Sequence, residues 1–313
     1  MSKVVVIGLS GESVFLKVDH FNNPGETINA IDRFVEPGGK GYNQAVMLGK
    51  LGADVSFITV LGNDSYAREC VRVLKEHHVN PCIITKNDLT DYAVITTDKF
   101  GENHVIVSNK LSKETSFDDI LQYKEVIDEA DIVLLQLEYP YQVNKQIIEY
   151  CYQRGIKVVL NPAPARLLDK ELLGKVSVLI PNEFEVLNIL EDEKDILKVL
   201  KQLSYCGVAT TIVTCGSKNV LSYFNNELKE YPVRKVSAVD TTGAGDTFCA
   251  GVVYGLANNM NLTEAINFGI CASGLSVTKH GVINSLPSLD DILKILNKEW
   301  RFLLNRNRFF ILN

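Results

Sequence analysis

Apolar positions along the chain follow two rhythms. Short, nearly unbroken apolar runs stand at Val4–Gly8, Val55–Leu61, Asp131–Leu137, Lys157–Leu160, Val176–Ile180 and Thr210–Thr214. Runs of this length predict strands buried on both faces. Between them, apolar residues recur three and four apart. Ile196, Val199, Leu200 and Leu203 share one face of a helix predicted over Lys194–Cys206. Helices are likewise predicted over Gly41–Leu51 and Tyr66–His77. Strands alternating with helices make a mostly parallel sheet covered on both faces. One region departs from this rhythm. Tyr92–Thr97 and His104–Ser108 are β-type runs joined by a turn containing Gly101, which predicts a hairpin. The pattern alone does not choose between an edge hairpin of the main sheet and a lid over a cleft.

Composition narrows the class. The chain has 313 residues, of which 46% are hydrophobic, enough for a large core as one α/β domain or two smaller ones. The net charge is −6 and no basic stripe is visible, so no nucleic-acid partner is expected. No apolar run approaches the ~20 residues of a membrane helix, and Val4–Ile7 is too short for the core of a signal peptide. Neither membrane association nor secretion is expected. The seven cysteines are scattered and odd in number, with no C-x-x-C pair, which suits reduced thiols and a cytoplasmic location. The five histidines show no metal-ligand spacing.

Two segments carry the chemistry. The first is Asp240-Thr241-Thr242-Gly243-Ala244-Gly245-Asp246, followed by a small-residue, apolar stretch suited to a buried helix. Unpaired amides of Gly243, Ala244 and Gly245 at a helix N-terminus favour an anion. Asp246 in the same turn can take a proton from a hydroxyl, or it can simply cap the helix. The second segment is Pro37-Gly38-Gly39-Lys40-Gly41-Tyr42-Asn43-Gln44. Its glycines permit close backbone approach to a ligand, and Lys40 and Asn43 are polar donors. Taken alone it reads equally as a Gly-rich turn entering a helix. Neither G-x-G-x-x-G nor the P-loop pattern occurs.

In this order and about 200 residues apart, the two segments resemble the PfkB family of carbohydrate kinases, and within it the ribokinase branch. Pro24–Thr27, Gln136–Glu138, Asn161–Arg166 and Pro181–Glu185 resemble further family signatures, so the likeness runs from Val4 to about Pro287. It implies a three-layer α/β fold, one kinase domain over residues 1–304, and a small β lid from segments near 11–37 and 90–110. It implies transfer of a phosphoryl group from ATP to a sugar hydroxyl. By this resemblance Asp246 is the catalytic base and Gly243, Ala244 and Gly245 form the anion hole. Gly39, Lys40, Asn43, Glu138 and the Ser13 position hold the sugar. Asn182, Thr214, Gly216, Ser217 and Gly245 meet ATP, and Glu185 organises Mg2+ through water. Asp240, Thr242, Gly281 and Ser285 are expected to hold K+. Lid-to-lid packing implies a homodimer.

Two departures stand out. Family members carry Asn and Asp where this chain has Gly11 and Ser13, which leaves the exact sugar open. Deoxyribose, a hexose, a nucleoside or a glycosylamine are alternatives, as is a regulatory sugar binder without catalysis. Asn219 stands where the family usually has Gly; an Asn tolerates a left-handed backbone, so little disturbance is expected. A helix is predicted over Leu289–Leu304, and residues 305–313 are expected to form a frayed tail.

Overall fold

The structure is a computed structural model describing residues 2–191 and 193–296. Among the described residues, thirteen strands form two sheets. They are β1 (Lys3–Ile7), β2 (Gly11–Lys17), β3 (Asp32–Gly38), β4 (Asp54–Leu61), β5 (Asn80–Thr85), β6 (Tyr92–Thr97), β7 (Asn103–Ser108), β8 (Ile132–Gln136), β9 (Lys157–Asn161), β10 (Val178–Leu179), β11 (Thr210–Thr214), β12 (Asn219–Phe224) and β13 (Glu227–Pro232).

The large sheet runs in the order β13-β12-β11-β10-β9-β8-β1-β4-β5. Every pairing from β11 to β5 is parallel, and β12 and β13 add an antiparallel edge. The apolar runs supply its centre, and alternation along each strand sends side chains to both faces. Val4 and Val6 join a core with helices Lys40–Lys50, Ala244–Ala257 and Leu262–Ser276. Val5 and Ile7 join the opposite core, with helices Tyr141–Gln153 and Ile196–Tyr205. This is the three-layer architecture the repeat of strands and helices predicts.

The hairpin at β6 and β7 is not an edge of that sheet. It belongs to a second, four-stranded sheet, ordered β3-β2-β6-β7, which forms the lid. Register fixes which residues share a face. Ser13 pairs with Glu36 and Ala93, and Phe15 pairs with Phe34 and Ile95. Ser13, Phe15, Glu36, Phe34, Ala93 and Ile95 therefore lie on one side of the lid.

Strands β5, β12 and β13 are absent from the sequence expectation. For the last two a local signal exists: Asn225 and Asn226 both take positive φ in the two-residue turn between them. Residues 289–296 are helical, as predicted for the start of the last helix; its remainder and the 305–313 tail lie outside the described residues. No helix among the described residues is long and apolar enough to cross a membrane.

Candidate active site

Loops at the carboxyl ends of the parallel strands converge on one region, where open α/β sheets bind ligands. Glu138 follows β8, Asn161 ends β9, Asn182 follows β10 and Thr214 ends β11. Two helix N-termini complete the region. Gly39, at φ 104°, begins helix Lys40–Lys50, and a Cβ there would meet the Leu9 carbonyl oxygen at 2.4 Å. The Lys40 N–H donates to Glu138 Oε2 at 2.9 Å, so the Glu138 carboxylate braces the glycine turn.

Gly243, left-handed at φ 73°, begins helix Ala244–Ala257. The Ala244 N–H turns back to the Thr241 carbonyl, 3.2 Å away. The Gly243 and Gly245 N–H groups have no acceptor among the described residues. Asp246 follows and is buried, 6% exposed. Its carboxylate is held at both oxygens: Asn43 Nδ2 donates to Oδ2 at 2.8 Å, and Gln44 Nε2 donates to Oδ1 at 2.9 Å. Gln44 is itself fixed. Its Oε1 accepts from Gln136 Nε2 at 2.5 Å, and its Nε2 also reaches Asn161 Oδ1 at 3.2 Å. Asn161 in turn donates to the Ile180 carbonyl at 2.9 Å.

A cleft of about 200 Å³ opens beside this turn, lined by Lys40, Asn182, Glu185, Thr214, Gly245 and Asp246 among others. Asp246 first, then Glu138 and Glu185, raise the Lys40 ammonium above its ordinary value, so it stays charged. Burial pushes Glu138 up to about 7 and raises Glu185 as well. Burial drives the Cys249 thiol far upward, so it is no nucleophile at neutral pH. Asn182 and Glu185 cap each other reciprocally, both bonds 2.8 Å, and Glu185 Oε1 remains without a hydrogen bond among the described residues. The arrangement combines a fixed carboxylate, an ammonium and a helix N-terminus around one small volume. Such a set can deprotonate a hydroxyl while neutralising phosphate charge.

Other expected residues lie apart from this cleft. Ser217 is exposed beyond it. Ser13 lies on the lid, its Oγ filling the space a Gly38 side chain would need. Asp240 ties two loops together, accepting from Thr242 N–H at 2.9 Å and Gly281 N–H at 3.1 Å. Ser285 Oγ donates to the Val282 carbonyl at 2.7 Å. At Asn219 the left-handed tolerance is not called on. This residue is the first of β12, bonded through Nδ2 to Glu230 at 3.1 Å, and takes no left-handed conformation. Gly216 carries the positive φ of that loop, 57°.

Sequence reasoning missed three residues. Gln44 lies within the quoted glycine segment, but neighbouring helix residues diverge, so a shared target with Asn43 was not expected. A carboxylate with two oxygens accommodates both. In the sequence Asn161 is only one residue of the Asn161–Arg166 signature. Glu36 is buried in β3, and its Oε1 accepts from the Val282 N–H at 2.8 Å. Only the β2–β3 register reveals that it stands opposite Ser13.

A family model described as pfkB family carbohydrate kinase matches residues 1–289. The chain belongs to the pfkB family of carbohydrate kinases. It is an ATP-dependent sugar kinase. The chain is 33% identical to a ribokinase of Staphylococcus aureus (strain COL), over 94% of this chain and 99% of that one. Its fold is similar to that of a ribokinase from Thermotoga maritima, with a TM-score of 0.87 and 34% identity over 95% of this chain and 100% of that one. It is also similar to an Arabidopsis thaliana ribokinase solved in complex with ribose and ATP, with a TM-score of 0.83 and 28% identity over 94% and 98% of the two chains.

Proposed function

We propose that this pfkB-family kinase moves the terminal phosphate of ATP onto a hydroxyl of a pentose-type sugar, with Asp246 as the general base. The observation that carries this reading is the Asp246 carboxylate, held at both oxygens next to the uncovered Gly245 N–H. Asp246 takes the hydroxyl proton as the phosphoryl group arrives, and the Gly243 and Gly245 amides stabilise charge on its oxygens. Gly39, Lys40, Asn43, Glu138 and Ser13 hold the sugar; Asn182, Thr214 and Gly216 face ATP.

Magnesium neutralises the ATP phosphates. No group of three or more candidate metal ligands occurs among the described residues. The nucleotide phosphates would carry the ion, and Glu185 Oε1, without a hydrogen bond among the described residues, suits contact through water. Potassium suits the loops joined by Asp240, where Thr242, Gly281 and Ser285 supply backbone and hydroxyl oxygens beside one carboxylate. Equal rates in potassium and in a bulky organic cation at matched ionic strength would remove that site.

We further propose a homodimer in a reducing cytoplasm. All seven cysteines are thiols. Strand β7 is a lid edge with Val105, Ile106 and Val107 each more than half exposed, and pairing of lids covers such an edge. A monomeric mass by light scattering at micromolar concentration would remove this claim.

Ribose is the reference substrate, although the neutral Ser13 weakens the grip on vicinal hydroxyls. ATP consumption measured across ribose, deoxyribose, fructose, hexoses and nucleosides tests the function. Phosphorylation of at least one of these alcohols supports it, and ATP turnover with none would overturn it.

A further inference from the structure

Strand β1 ends at Ile7, and a side chain from beyond its other neighbour fills the gap it leaves against β4. β1 lies between β8 and β4, and Ile7 pairs with Ile58 of β4. The Gly8 N–H still donates to the Ile58 carbonyl, at 3.2 Å. A regular parallel ladder would continue with the Val60 N–H donating to the Gly8 carbonyl. The Tyr139 hydroxyl stands between them instead. It accepts from the Val60 N–H at 3.1 Å and donates to the Gly8 carbonyl at 2.9 Å. Tyr139 follows β8, so its side chain passes the end of β1 to reach β4. It is 4% exposed, and its own carbonyl accepts from Asn144 Nδ2 at 3.0 Å. Burial pushes the phenol above its ordinary value, so the hydroxyl keeps the proton it donates.

What the hydroxyl holds lies directly against the Gly39–Asn43 turn. A Cβ on Gly41 would lie 2.7 Å from Gly8 Cα, and a Cβ on Gly39 would lie 2.4 Å from the Leu9 carbonyl oxygen. The same Leu9 carbonyl accepts from the Tyr42 N–H at 3.2 Å. Backbone packed on backbone leaves no flexible side chain to absorb a shift, so a displaced Gly8 displaces the turn. Glu138, the residue before Tyr139, holds that turn from its other side through the Lys40 N–H. We propose that Tyr139 is a positioning residue for the acceptor sugar. Its hydroxyl, wedged between β1 and β4, sets where Gly8 and Leu9 stand and, through them, where Gly39, Lys40 and Asn43 meet the sugar. This rests on the reading of that turn as sugar-holding. Asn182 and Thr214, assigned to ATP, belong to β10 and β11, beyond β8 and β9 in the sheet, and share none of these contacts.

Steady-state kinetics of Tyr139→Phe tests this, with Tyr231→Phe as the control. Both remove only a hydroxyl from a buried tyrosine, and Tyr231 bonds Ser222 Oγ at 3.3 Å on the distant β13 edge. With whichever of ribose and deoxyribose turns over faster, Tyr139→Phe should raise the sugar KM about tenfold and leave the ATP KM within about twofold. Tyr231→Phe should leave both within about twofold. Para-aminophenylalanine in place of Tyr139 keeps a donor for Gly8 and should recover most of the sugar KM. An unchanged sugar KM in Tyr139→Phe would overturn the proposal, and so would sugar and ATP KM rising together, since that marks a general loss of packing. Should Tyr139→Phe not fold, amide exchange in the wild type decides. Saturating sugar should slow the Val60 amide more than the β12 amides, and equal slowing would overturn the proposal. If wild type phosphorylates no alcohol, the Asp246 reading fails instead, and calorimetric titration of ribose then reads Tyr139. Weaker binding in Tyr139→Phe supports the proposal; equal binding, or none to wild type, overturns it.

Discussion

Gln44 donates to Asp246 Oδ1 across 2.9 Å, joining the N-terminal turns of two helices that lie 200 residues apart in the chain. The bond is charge-assisted, and its other end is fixed by Gln136. With Asp246 as the proposed base, Gln44 is placed to act on the reaction by aiming the carboxylate. Loss of one bond to a charged group costs about 1.5–3 kcal/mol, so Gln44→Ala should lower kcat about 10- to 100-fold. The sugar KM should move much less, because Asn43, Lys40 and Glu138 remain. A fall carried mainly by KM would show that Gln44 serves the sugar and not Asp246.

Asp246→Asn tests the base itself. General-base removal costs about 10²–10⁴-fold in rate. Its effect on folding should be modest, although the new amide must set one N–H against Asn43 or Gln44, both of which donate to the native carboxylate. ATP affinity should hold or rise, since a negative charge near the phosphates is gone. Calorimetry for ATP beside kcat separates these effects. Wild-type turnover in this variant would remove Asp246 from the chemistry.

The legible parts of the molecule are those governed by local pattern. The run Val4–Ile7 announces a buried central strand because both its faces are apolar. The glycine segments announce backbone turns because positive φ, 104° at Gly39 and 73° at Gly243, favours glycine, and an added Cβ would meet a neighbour at 2.4 and 2.6 Å. What stayed hidden depends on register and on contacts distant in sequence. Strand β13 is mostly polar and exposed, so it lacks an apolar run. Glu36 reads as an ordinary charged strand residue until β3 is laid against β2. The stacking of Phe15 on Phe34 across the same two strands is invisible for the same reason. The Asp246–Gln44 bond joins helices whose packing no local period encodes.

Glu138 gives a pH-dependent signature. Burial raises its carboxyl to about 7, above the ordinary Glu value of 4.5, so folding favours the protonated form. That stabilisation is full below pH 4.5 and is lost as pH rises through about 7. Glu138→Gln keeps the neutral shape at every pH. Its stability relative to wild type should therefore rise between pH 4.5 and 7.5, by on the order of 3 kcal/mol at 1.4 kcal/mol per pKa unit. Thermal melts of both proteins at several pH values measure the difference. A difference that stays flat with pH would show that Glu138 titrates as an exposed carboxyl.

Glu36 links the lid to the Gly243 turn through Val282. The Val282 N–H donates to Glu36 Oε1 at 2.8 Å, and the Ile283 N–H reaches Oε2 at 3.4 Å. The Val282 side chain packs on Gly243, where an added Cβ would lie 2.6 Å from Cγ1. Asp240 holds the adjacent Gly281 N–H at 3.1 Å from the other side. The loop is thus anchored to the lid by one carboxylate and to the Asp240–Thr242 segment by another. Glu36→Ala leaves the buried Val282 N–H without its acceptor, a cost of about 1–3 kcal/mol. Glu36→Gln keeps one acceptor oxygen for Val282 and should recover most of that loss. If the link matters to the anion-binding turn, Glu36→Ala should lower kcat about tenfold or more, Glu36→Gln should restore much of it, and amide exchange at residues 281–285 should quicken only in the alanine variant. Faster exchange with unchanged kcat would show that the loop is held by Glu36 but that Gly243 keeps its position without it.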